Sequence, residues 1–117
     1  MNEIITYNLS TRQGDSVPAW FFQLNIVNPL TGKPMVLELT DYDFVMEIKG
    51  VCGKVVRRLT LGNGLCICEN KVFVDKIEKE DLEPSLYSYA IKMRKPNGEY
   101  KTFMKGKYNV EKELVNE

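Results

Sequence analysis

Asp43-Phe44-Val45-Met46-Glu47-Ile48-Lys49 decides the fold class. Phe44, Met46 and Ile48 occupy every second position, with Asp43, Val45, Glu47 and Lys49 between them. That is the period of a strand with one buried face, not of a helix. Leu86 to Arg94 repeats the pattern, with Tyr87, Tyr89, Ile91 and Met93 alternating against Ser88, Ala90, Lys92 and Arg94. Working outward, Pro18 to Val27 reads as a further strand carrying Trp20, Phe22, Leu24 and Ile26 on one side. Phe21 makes its other side apolar too, so this end needs a cover other than water. Strands are also expected over Glu3–Leu9, Lys54–Leu61, Leu65–Cys68, Lys71–Lys76, Tyr100–Lys105 and Tyr108–Glu113.

The connections carry turn chemistry. Lys95-Pro96-Asn97-Gly98-Glu99 and Gly62-Asn63-Gly64 place asparagine and glycine where positive φ is required, and Glu69-Asn70 closes another short hairpin. Asn28 to Pro34 is a looser loop. Ile77-Glu78-Lys79-Glu80-Asp81-Leu82 predicts one short helical turn, stopped by Pro84. Leu82 to Tyr89 fits either a tyrosine at the corner where a strand re-enters a sandwich or plain alternating core tyrosines. About seven to nine short strands, with no room for crossover helices, predict an all-β chain: a single antiparallel β-sandwich with a helical turn near residues 77–82.

The 117 residues predict one domain spanning 1–117, with its core over about 16–110. Sixteen basic and sixteen acidic residues cancel, so no global field draws the chain to nucleic acid or to a membrane surface. The N-terminal segment has no secretory signal pattern, and no apolar run is long enough for a bilayer, so synthesis in the cytoplasm is expected. Cys52, Cys66 and Cys68 are odd in number, which argues against a disulfide framework; they read as free thiols acting as small apolar fillers.

The sequence contains no histidine, which removes Ser-His and Cys-His catalysis. Asp41 and Asp43 read as strand-start residues, and Glu78, Glu80, Asp81 and Glu83 as the solvated face of the helical turn. Gly62-Asn63-Gly64 lacks the lysine and helix of a phosphate cradle. No catalytic residue, cofactor or metal is expected. Trp20, Phe21 and Phe22 form a candidate interface. Tyr100, Lys101, Phe103, Lys105 and Tyr108, together with Lys107 and the Arg57-Arg58 pair, form a candidate basic and aromatic ligand surface. The competing explanation is lysine guarding an edge strand.

The order of these features resembles the immunoglobulin-like domains of phage tail and baseplate proteins, including the N-terminal domains of baseplate upper proteins. The residues that carry the likeness run from Trp20–Ile26 through the Asn28–Pro34 loop and Leu39–Lys49 to Leu59–Leu65, Leu82–Ile91 and the Pro96-Asn97-Gly98 hairpin. Pro84-Ser85-Leu86 departs from the pattern, which has glycine before the tyrosine strand. The resemblance implies a non-enzymatic immunoglobulin-like structural domain of a phage or prophage tail. Its partners would be other virion proteins or further copies of itself, as a virion component assembled in the host cytoplasm. A β-sandwich module for carbohydrate or protein ligands is the alternative.

Overall fold

The computed structural model describes residues 4–114, without the side chains of residues 25–27. It is all-β, with eleven strands: β1 Ile5–Thr6, β2 Leu9–Arg12, β3 Trp20–Phe22, β4 Asn25–Val27, β5 Pro34–Val36, β6 Asp43–Lys49, β7 Val55–Leu61, β8 Gly64–Cys68, β9 Lys71–Val74, β10 Ser85–Arg94 and β11 Tyr100–Glu111. Nine of them form one sheet in the order β1-β11-β10-β6-β7-β8-β9-β3, with β2 also paired to β11; β4 and β5 make a separate ribbon. No helix of the described chain is long and apolar enough to cross a membrane.

The alternation read from the sequence sets the inward faces. Phe44, Met46 and Ile48 of β6 and Tyr87, Tyr89, Ile91 and Met93 of β10 are all buried. The two strands pair antiparallel, Tyr89 opposite Ile48 and Ile91 opposite Met46, so their apolar rows merge into one core. The sheet curls into a half-barrel that brings its ends together. Phe22 of edge strand β3 sits 5.3 Å from Phe103 of β11 and 6.2 Å from Phe44, centroid to centroid.

Three expectations are corrected. The sheet is mixed and not purely antiparallel, because β1 and β2 both run parallel to β11 and β8 begins parallel to β7. The strand count reaches eleven because Pro18–Val27 breaks into β3 and β4, which pair with different neighbours, Glu3–Leu9 gives way to β1 and β2, and β5 is added, while Tyr100–Lys105 and Tyr108–Glu113 merge into β11. There is no helical turn at 77–82. The backbone groups of this crossover bond across the chain to residues 14–17: Val17 and Ile77 exchange both hydrogen bonds, Glu80 N–H donates to Asp15 O and Gly14 N–H to Glu80 O. Amides engaged there cannot close i to i−4 rings.

Turn chemistry held in part: Gly62, Gly64 and Gly98 take the positive φ expected there, Asn63 and Asn97 do not, and β8 leaves the 62–64 turn parallel to β7 instead of closing a hairpin. Glu69 and Asn70 adopt φ of 51° and 60°, the two consecutive left-handed residues a two-residue hairpin needs, and join β8 to β9. The Asn70 amide also fastens the approach to β6, accepting from Leu39 N–H at 2.8 Å and donating to Leu37 O at 2.7 Å. Tyr87 OH donates to Glu83 O at 2.6 Å, a bond from strand to upstream backbone, and Tyr87 and Tyr89 are both alternating core tyrosines of β10.

Candidate functional site

Three regions combine polar chemistry or exposed apolar surface with a defined geometry. The first lies inside the sheet. Glu80 is completely buried, and its carboxylate accepts from Arg57 Nη2 at 2.6 Å, from Thr11 Oγ1 at 3.1 Å and from the Tyr108 hydroxyl. Tyr108 Oη in turn accepts from Arg57 Nη1 at 3.2 Å, and Arg57 Nη2 also reaches Asp81 at 3.1 Å. Thus β2, β7, β11 and the crossover after β9 converge on one side chain. Burial by itself would raise the Glu80 carboxyl, but the hydrogen bonds from Arg57 and Tyr108 and the Arg57 charge outweigh it and hold the group below its ordinary value. Burial and the Glu80 carboxylate push the Tyr108 hydroxyl up to about 12. A cavity of about 60 Å³ adjoins the network beside Trp20, Met46 and Leu59. Among the described residues no buried side-chain polar atom lacks a partner, and the Thr11 and Tyr108 hydroxyls that line the cavity both donate to Glu80, so the cluster ties four segments of the chain together.

Sequence reasoning missed this cluster. Glu80 was expected on a solvated face with Glu78, Asp81 and Glu83; the latter three are exposed and Glu80 is not. Arg57 was expected on a basic surface and instead turns inward, while its neighbour Arg58 points outward to Glu47 at 3.6 Å. The available signal was an arginine on a strand whose flanking residues alternate, but nothing local names its partner 23 positions on.

The second region is the outer side of β8-β9-β3. Of the candidate interface residues, Trp20 and Phe22 face inward, with ring centroids 6.0 Å apart, and Phe22 is buried. Phe21 alone faces out, 53% exposed, packed against Phe73 with tilted rings 5.3 Å apart and the Lys71 ammonium 5.2 Å from its ring. The cysteines are free as expected, but the filler role is wrong: Cys52, Cys66 and Cys68 are all exposed. Beyond β3 the β4–β5 ribbon stands apart from the main sheet, with β5 exposed along its length and Leu30 at its tip 92% exposed.

The third region is β11. A register shift opposite Ile91 and Lys92 leaves Phe103 as an extra residue, so Phe103 and Met104 are both buried. The candidate ligand surface is therefore divided. Phe103 and Tyr108 belong to the core, and Lys101 lies half-buried in the row of Met93. Only Tyr100 and Lys105 share the outer face, where Lys107 joins them.

With this geometry in hand, comparison shows that the chain matches nine solved chains. CopC from Methylosinus trichosporium OB3b aligns with a TM-score of 0.50 at 12% identity, covering 93% of this chain and 90% of that one. The likeness is one of fold. A family 123 glycoside hydrolase from Clostridium perfringens aligns at a TM-score of 0.38 and 11% identity over 96% of this chain, which spans only 24% of the hydrolase. No protein-family model matches the sequence, and no curated protein does. At 12% identity CopC lends this chain its architecture and no residue roles.

Proposed function

We propose that this chain is a non-enzymatic interaction domain, an immunoglobulin-like sandwich that joins a phage or prophage tail or baseplate assembly. The observation that carries the interaction reading is the β4–β5 ribbon. It is a two-stranded sheet of its own, and Leu30, Met35 and Val36 are 92%, 44% and 40% exposed. An isolated two-stranded ribbon is marginal in water, and apolar side chains displayed on one favour a covering partner. The neighbouring edge strand β3 and the Phe21–Phe73 pair extend the same kind of surface. The Tyr87 bond to Glu83 O favours an immunoglobulin-like Greek key, and the order of sequence motifs favours the tail assembly. The carbohydrate-module alternative loses the Phe103 and Tyr108 rings to the core.

Sedimentation velocity over a wide concentration range tests the interaction reading. A discrete oligomer, returned to monomer by Leu30→Ser combined with Met35→Ser, is the expected result. A monomer at every concentration, with no co-sedimentation with isolated tail proteins, overturns it. Presence of the chain in purified tail particles tests the setting, and its absence from them overturns the phage assignment.

A further inference from the structure

The outer face of β6, β10 and β11 is a groove of about 560 Å³, lined by no residue of the ribbon. Lys49, Lys92, Lys105 and Lys107 line it around a floor that includes Ser88 and Ala90. Cross-strand register places Lys107 and Lys49 on either side of Ser88, about 10 Å apart at two strand spacings. Lys105 stands beside Ala90 one row along, and Lys92 one row further on β10. All four lysines are exposed, and none forms an ion pair among the described residues. The single carboxylate in the lining, Glu47, is paired with Arg58. In a chain of zero net charge, this is a local excess of positive charge. The segment between β1 and β2 walls one side, where Asn8 Oδ1 accepts the Lys107 backbone N–H at 3.0 Å.

Like charges gathered across neighbouring strands weaken a sheet, and an anionic ligand relieves that repulsion. We propose that this groove binds an extended acidic peptide segment of a partner protein. Lys105 and Lys107 are two residues apart on one strand, so they repeat at about 6.8 Å, the spacing of same-side carboxylates on an extended chain. Ser88, Thr6 and Asn8 supply hydrogen-bonding side chains at the floor and rim. Nucleic acid is disfavoured because the only aromatic residue in the lining, Tyr89, is buried and leaves no ring for base stacking. The same absence disfavours a sugar chain, and no arginine lines the groove to grip phosphate or sulfate in bidentate fashion.

Fluorescence anisotropy with a labelled peptide of alternating glutamate and threonine tests the proposal. Binding is expected at low salt, weakening as salt rises. Lys105→Glu with Lys107→Glu is expected to weaken it by about tenfold or more, while Lys76→Glu on a different surface leaves it unchanged. If the paired reversal unfolds the chain, Lys49→Gln on β6 with Lys92→Gln on β10 gives the same readout with smaller perturbation. No binding at low salt, or binding indifferent to both lysine pairs, overturns the proposal. So does tighter binding of an oligonucleotide or sulfated glycan of equal charge. The Leu30→Ser, Met35→Ser variant is expected to keep full peptide affinity, which separates this groove from the ribbon.

Discussion

Glu80 Oε1 lies 2.6 Å from Arg57 Nη2, and the carboxylate has no exposed surface at all. The pair joins the crossover after β9 to β7, and Tyr108 and Thr11 complete the shell from β11 and β2. Removing one member of such a pair costs far more than the pair contributes net, because the other charge stays desolvated. Glu80→Ala is expected to destabilise by about 3 kcal/mol and to lower the melting temperature by on the order of 10 °C. The fluorescence of Trp20, the only tryptophan, reports the transition. Replacing Arg57 and Glu80 together by methionine and leucine is expected to cost less than Glu80→Ala alone.

The same pair sets an acid limit. Glu80 is held below the ordinary glutamate value of 4.5, so the folded state favours the ionised form. Its contribution is complete above 4.5 and disappears as pH falls through the lower folded value. Denaturant midpoints measured against pH are expected to fall across that acid window in the native chain. They should flatten there in Glu80→Gln, which is less stable at neutral pH.

Alkaline pH acts on the tyrosines with the opposite sign. Burial pushes Tyr89 and Tyr108 up to about 12 from an ordinary 10, so each favours folding while protonated. That stability is full below 10 and is lost as pH rises toward 12. In an ultraviolet titration these two of the six tyrosines are expected to ionise last, together with unfolding. Early ionisation of all six would contradict the burial of both hydroxyls.

Gly106 is the point of β11 that the segment between the parallel strands β1 and β2 approaches most closely. A Cβ there would overlap the Tyr7 carbonyl, and Tyr89, its cross-strand partner, donates its hydroxyl to that same carbonyl over the glycine. Gly106→Ala is expected to destabilise by about 2 kcal/mol, as overpacking against backbone does. Hydrogen exchange should localise the damage, with the Tyr7 N–H, bonded to Lys105 O at 2.9 Å, losing protection first. Equal loss across β6 and β10 would contradict this account.

Tyr87→Phe isolates the bond to Glu83. It removes one 2.6 Å bond to Glu83 O and leaves the ring in the core. A loss of about 1 kcal/mol is expected from denaturant unfolding. No measurable change would mean that the hydroxyl does not hold the start of β10.

What the sequence determined by itself is local. Alternation along Asp43–Lys49 and Leu86–Arg94 fixes which side chains of β6 and β10 are inward, because successive residues of a strand point to opposite faces whatever the neighbours are. Glu69-Asn70 fixes its hairpin, because few residues tolerate two successive positive φ values. Pairing partners were not legible, and they decided the rest. One extra residue at Phe103 shifts the face of the residues beyond it, which turned Tyr108 into the core, while Phe103 already follows Lys101 in the inward row of Met93. Engagement with residues 14–17 turned the expected helical stretch at 77–82 into an extended crossover. Glu80 has no local feature that distinguishes it from Glu78 or Glu83. Only the arrival of Arg57, Tyr108 and Thr11 from distant strands makes its burial affordable, because a buried carboxylate is stable only where donors and an opposite charge replace the water it lost.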